Sequence, residues 1–245
     1  MEKHSKVFSK VAVTGFGLFL ISIIAVLLAP LGSRIGVWSF DGAVVILKIA
    51  AYSGIASACI SIVGAIISRP GGSFRGFLLS ISVIIIFIPT LLFLLYWKDA
   101  KENLPPIQDI TTNTEKPPQF WAAPNSKVYG GIGVAVYQEE FYPDIKPLIL
   151  SVTPEKVFDL SLEVIKQKGW QLWEENRAEK HIEATETTFW FGFSDDVVIH
   201  ITKTESGETR VDVRSTSRFG GGGDGGTNAN RIRSFMTALK KLVDN

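Results

Sequence analysis

The chain has 245 residues, a mean hydropathy of +0.23, 20 % charged residues and a single cysteine. Its net charge of +1 conceals a split: residues 1–97 carry seven cationic against two anionic groups, and residues 98–245 are net −4. These figures exclude a single soluble globule, a disulfide scaffold and a zinc site built on cysteines. An acidic C-terminal half with no nucleic-acid motif also speaks against a nucleic-acid partner.

Three apolar runs come first: Val11–Ala29, Ile49–Ile67 and Phe77–Trp97. At 1.5 Å per residue each is long enough to cross a hydrocarbon core of roughly 30 Å. Only a helix satisfies its own backbone there, so the reading is a three-helix transmembrane anchor over 1–97. Lys3, Lys6 and Lys10 precede the first run, and Arg69 and Arg75 lie in the turn between the second and third. The positive-inside rule puts both flanks in the cytoplasm, so the C-terminal part leaves on the other side. Trp38, Tyr96 and Trp97 suit the outer interface, and the first run reads as a retained anchor, not a cleaved signal. Ser53, Ser57 and Ser61, with Gly54 and Ala58 beside them, give the second run a seam of small residues for close packing within the anchor.

Residues 98–147 are rich in proline and read as an extended segment that wraps the soluble domain and buries its aromatic rings. From Ser151 the periodicities sharpen. Thr153 and Pro154 start an amphipathic helix that Gly169 stops. Strand-like runs follow at Trp170–Arg177, His181–Thr188, Val197–Thr204 and Thr209–Arg218. Ala229–Val243 closes the chain as a second amphipathic helix, with Asn228 as its N-cap. The expected fold over 148–245 is α+β: an antiparallel sheet of four to five strands with two helices on one face.

The polar residues of this region form the candidate site. Period-two alternation sets Arg210, Asp212, Arg214 and Arg218 on one side of the last strand, opposite Val211 and Val213. Asp195 and Asp196 begin the strand before it. Ser217 and Arg218 lead into a glycine-rich loop, Gly220–Gly223, then Asp224, Gly225, Gly226 and Asn228 at a helix start, with Arg231 one turn on. A glycine loop running into a helix N-terminus can cradle an anion. It fits neither the P-loop nor the dinucleotide pattern, and a flexible connection is the plainer use. With so many arginines beside the carboxylates, ion pairing is the more natural use of the acids than metal binding, and neither a metal nor another cofactor is expected. His4, His181 and His200 lack the motif of a hydrolytic triad.

Several of these motifs together resemble the domain-of-unknown-function family 1499. They are Leu104–Thr114, Pro117-Pro118 with Phe120, Gly169-Trp170, Ile182–Thr185, Gly192–Asp196, Arg210–Ser215, Ser217-Arg218 and the closing Asp224–Arg233. The loop between Arg218 and Asp224 departs from the pattern by an extra glycine. The resemblance spans Leu104 to the C-terminus and implies no reaction. The helices before it are similar to those of membrane-anchored bacterial members, which implies the bacterial inner membrane and a periplasmic domain. The functional expectation is a non-enzymatic binding or envelope-maintenance role. Its surface is Asp195, Asp196, Arg210, Asp212, Arg214, Ser217, Arg218, Asp224, Asn228 and Arg231, and its partners are the bilayer and an anionic lipid, a glycan or another envelope protein. The alternatives are a hydrolase with Asp195 or Asp196 as base and a structural partner presenting the aromatics of Phe189–Phe193.

Overall fold

The computed structural model describes residues 9–68, 73–125, 127–220 and 222–245, with Trp97 and residues 99–102 as backbone only. The expectations for Lys3, His4, Lys6, Arg69, Gly221 and the Trp97 ring fall outside the described residues. The chain divides into two compact units, Met1–Ala100 with Trp190–Gly192, and Lys101–Phe189 with Phe193–Asn245.

The first unit holds α1 (Lys10–Arg34), α2 (Phe40–Ile67) and α3 (Phe74–Glu102). Each contains a stretch long and apolar enough to cross a membrane. Large apolar side chains such as Ile21, Leu28, Ile66, Ile85 and Leu92 point outward and are exposed, as a lipid environment requires. Ser9 and Ser39 cap α1 and α2 by accepting from the N–H groups of Ala12 and Gly42. Gly54, Ser57, Ala58, Ser61 and Gly64 of α2 are buried, and Ser57 Oγ donates to the Gly15 carbonyl at 2.7 Å. The small-residue seam therefore serves packing between helices of the anchor, where short side chains let backbones approach.

The second unit is an antiparallel sheet carrying helices. Its elements are β1 (Asp109–Thr111), α4 (Gly131–Phe141), β2 (Leu148–Leu150), α5 (Pro154–Lys168), β3 (Gln171–Asn176), β4 (His181–Thr187), β5 (Ser194–Lys203), β6 (Thr209–Ser217) and α6 (Thr227–Val243). The order is β1-β6-β5-β4-β3, and β2 shares the β6 edge with β1. Six strands replace the expected four to five, because β1 and β2 are three-residue pieces too short to show alternation. α5 begins and ends as its sequence predicts: Thr153 caps it, Pro154 opens it and Gly169 closes it in the left-handed region at φ 67°.

Residues 98–147 are more ordered than an extended wrap. They supply the end of α3, then β1 and α4, with Tyr129 and Tyr142 buried but Trp121 and Tyr137 exposed. Buried Gln138 of α4 closes the free edge of β1. Its Oε1 accepts from the Thr111 N–H and its Nε2 donates to the Thr111 carbonyl, at 2.9 and 2.6 Å. One amide side chain thus replaces a neighbouring strand, which removes an edge that would otherwise pair with another chain.

Register fixes the two faces of the sheet. Ile182, Val197, Ile199, Ile201, Val211 and Val213 lie on one face, packed in a single apolar core with Phe158 and Ile165 of α5 and Ile232, Phe235 and Leu239 of α6. The other face carries His181, Glu183, Thr185, Asp196, His200, Arg210, Asp212 and Arg214. An apolar core on one side and a polar layer on the other is what the alternation of β6 prescribes.

Two glycines of α1 make a contrasting test of the anchor. A Cβ at Gly32 would lie 2.1 Å from the Trp38 ring, whose Nε1 donates to the Ala29 carbonyl at 2.8 Å; a Cβ at Gly17 meets nothing within 4 Å. Gly32→Ala is expected to destabilise the α1–α2 pair by about 1–3 kcal/mol through overpacking. Gly17→Ala should be neutral or slightly stabilising. The fraction of chain that stays monodisperse after heating, for each variant in lipid nanodiscs, measures both.

Candidate functional site

The ten polar residues singled out from the sequence do not form one surface. Asp195 and Asp196 are adjacent in β5 and therefore point to opposite faces. On the helix side, Arg231 of α6 donates to Asp195 at 2.7 Å, to Glu186, to Ser215 at 3.1 Å and to Asn228. Asn228 is not the helix cap. It is buried, accepts from Ser215 Oγ and donates to Ser217 Oγ at 3.0 Å and to the Gln108 carbonyl at 2.9 Å.

Asp224 does the capping instead. Its carboxylate accepts from the N–H groups of Gly226 and Asn228 at 2.9 and 2.6 Å. The anion that the helix N-terminus attracts is thus the protein's own carboxylate. Burial pushes the Asp224 carboxyl above its ordinary value, against the opposing pull of those N–H bonds.

On the other face, Arg214 is fully buried. Its Nε and Nη2 grip Asp109 of β1 in a two-pronged pair at 2.8 and 2.7 Å. Nη1 donates to the Pro118 carbonyl at 3.1 Å, and Nη2 also donates to the Lys127 carbonyl at 2.9 Å. The rings of Phe120 and Tyr129 lie 5.2 and 5.8 Å from the guanidinium carbon. Burial, chiefly, raises the Tyr129 hydroxyl to about 12. Arg218 clasps Asp196 through two bonds of 2.7 and 2.6 Å, and Asn125 Nδ2 donates to the same carboxylate at 2.9 Å. Thr185 donates to it as well. Arg210 pairs with Asp212 at 2.8 and 3.1 Å, and Thr112 donates to Asp212 at 3.1 Å. The expected recognition surface is therefore in large part an interior ion network. It fastens residues 109–127 across the sheet.

Glu183, His181 and Trp121 were not among the residues expected to form the site. Buried Glu183 accepts from three successive N–H groups, those of Trp121, Ala122 at 3.0 Å and Ala123 at 2.6 Å, and from His181 Nε2 at 2.7 Å. Burial alone would raise its carboxyl. The bonds from His181 and from the Ala123, Trp121 and Ala122 amides outweigh burial and hold it below the ordinary glutamate range. The Trp121 indole lies flat on the His181 ring, 3.6 Å between centroids and 7° between planes. The signal was present as a tryptophan in a proline-rich segment and alternating polar residues in β4, but their pairing spans some sixty residues.

Beside this stack runs a groove of about 640 Å³ between residues 113–121 and the polar face, with Trp121, His181, His200, Thr202, Arg210 and Asp212 along it. Burial, and then the neighbouring His181, lower the His200 imidazole below its ordinary value. No cluster of three or more metal-ligating side chains occurs among the described residues.

Residues 109–239 match the family described as protein of unknown function (DUF1499). The chain belongs to the DUF1499 family. No curated protein matches it. The matched DUF1499 region begins at Asp109, the carboxylate that holds Arg214, and takes in every ion pair of both networks.

Two outcomes test this description of the DUF1499 domain. Arg214→Met strands Asp109 and the two carbonyls, and should cost about 3–5 kcal/mol, read as a lower urea midpoint for the full chain. Glu183, with its lowered carboxyl, stabilises the fold fully above the ordinary glutamate pKa of about 4.3, and that share is lost as pH falls through the lowered value. Hydrogen-exchange protection of the Trp121, Ala122 and Ala123 amides, corrected for intrinsic rates, should fall on acidification. Glu183→Gln should reproduce that loss at neutral pH, by about 1–3 kcal/mol.

Proposed function

We propose that this DUF1499 protein is a non-enzymatic binding protein of the bacterial envelope. Three helices anchor it in the inner membrane, with the N-terminus in the cytoplasm and the DUF1499 domain on the periplasmic side. The side assignment is supported by Lys3, Lys6, Lys10, Arg69 and Arg75 on the flanks that an odd number of spans leaves in the cytoplasm. The binding role rests on one observation. Asp195 and Asp196, the carboxylates that a hydrolase would need as a base, are buried and held by Arg231 and Arg218, whereas the groove along Trp121 is open. A general base must reach the proton it abstracts, and a carboxylate clasped by a guanidinium inside the fold does not. Within this reading the ligand is an envelope component, an anionic lipid headgroup or a glycan.

The lone cysteine makes the topology testable. Cys59 lies in α2, so Cys59→Ser gives a chain free of thiols. Adding Ser206→Cys places one on the exposed turn between β5 and β6. In cells with a permeabilised outer membrane and an intact inner one, a membrane-impermeant maleimide is expected to label this variant fully. Labelling only after the inner membrane is opened would reverse the assignment.

A further inference from the structure

The groove of about 640 Å³ is within the ~300–1,000 Å³ range of small-molecule sites. Its most unusual wall is Trp121, which is 56 % exposed although one face of its indole is covered by His181. The plate is rigid from behind. Glu183 holds both the Trp121 backbone N–H and the His181 ring, so one buried carboxylate fixes the indole and its backing together. An aromatic face locked in place and left uncovered is preorganised for a ligand with a flat, weakly polar side.

The rest of the lining narrows the ligand. Its charges are balanced: Glu115 and Asp212 face Lys116 and Arg210. Nε and Nη2 of Arg210 bond Asp212, whose carboxylate offsets the guanidinium charge. A phosphate or carboxylate would therefore meet a carboxylate beside the arginine, while the remaining N–H groups of Nη1 and Nη2 can donate to neutral hydroxyls. A wholly apolar ligand would strip water from Asn113, Gln119, Thr202 and Arg210 without replacing their hydrogen bonds. A neutral ligand with many hydroxyls and an apolar ring face meets each requirement.

We propose that the groove is a saccharide site, in which one sugar ring lies on the free face of Trp121 and its hydroxyls bond to Arg210, Asp212, Gln119 and Thr202. This deepens the binding role proposed above, and rests on it. The C–H groups of a sugar face pack on the electron-rich indole. Asp212 accepts from hydroxyls, while Arg210 and the Gln119 amide donate to them.

The test uses the full chain in lipid nanodiscs, because sugar-headed detergents would compete. Saturation-transfer NMR is run with β-1,4-linked N-acetylglucosamine oligomers, β-1,4-linked glucose oligomers, glycerol phosphate and inorganic phosphate. The expected result is transfer to the ring protons of at least one saccharide, with affinity about 10-fold or more lower in Trp121→Ala and partly restored in Trp121→Phe. Trp121→Ala keeps the backbone N–H that Glu183 holds, so unchanged exchange protection at Ala122 and Ala123 confirms an intact fold. Failure of every saccharide, or equal binding to Trp121→Ala, overturns the site. Binding of either phosphate that is lost in Arg210→Ala would overturn the saccharide assignment but leave the binding role standing. The periplasmic assignment fails separately, on the cysteine labelling, which does not depend on any ligand.

Discussion

The DUF1499 domain is organised around a buried guanidinium. Arg214 sits at the centre of a sheet face with no exposed surface, and a charge in that position is tolerated only if it is paired and its donors are bonded. The partners come from far away in sequence: Asp109, more than a hundred residues earlier, then the carbonyls of Pro118 and Lys127 and the rings of Phe120 and Tyr129. Satisfying this one side chain therefore draws β1 to the sheet edge and holds Pro118, Phe120, Lys127 and Tyr129 across its face. Without that cover, the β4–β6 face would present a row of charged groups to water and the groove would have no second wall.

The two faces of the sheet consequently hold together by different physics. On the helix side, burial of Ile182, Ile199, Val213, Phe158, Phe235 and their neighbours supplies the non-directional driving force. On the other side, directional bonds dominate: Arg214 to Asp109, Arg218 to Asp196, and Glu183 to three amides and a histidine. Such a layer contributes less net stability than an apolar one of similar volume, because desolvation offsets much of the pairing. Its effect is on register. Each carboxylate accepts bonds that only one placement of the covering segment can donate, so the segment has one position over the sheet, and the Trp121 plate is fixed with it.

How much of this was legible in the sequence follows from the range of each signal. Long apolar runs and local caps are short-range, and the three helices of the anchor and the Thr153–Gly169 helix emerge where the residues indicate. Alternation in β6 correctly set Arg210, Asp212 and Arg214 on one side, and the same rule would have parted Asp195 from Asp196, which were grouped because they are neighbours in the chain. β1 and β2 have three residues each and no period to read. Asp109, Gln138 and Glu183 have roles defined by partners 27 to 105 residues away, and nothing at their own positions announces those partners. Asn228 illustrates the opposite error. It is a good local capping residue, but Ser215, Ser217 and Arg231 take up its amide within the fold and Asp224 supplies the cap.

The anion-binding devices of the domain also bear on what it can recognise. A helix N-terminus and a run of three consecutive amides are the two backbone arrangements best suited to an external anion. Here Asp224 occupies the first and Glu183 the second. Arg214, Arg218 and Arg231, the side chains that would otherwise bind phosphate or carboxylate, are clasped by Asp109, Asp196 and Asp195. The abundance of arginine, aspartate and glycine in residues 195–231 therefore reflects recognition within the fold, complete before any ligand arrives. The groove along Trp121 is open, its lining charges cancel and the aromatic face is bare. A saccharide there would be selected by its shape and hydroxyl pattern and not by its charge.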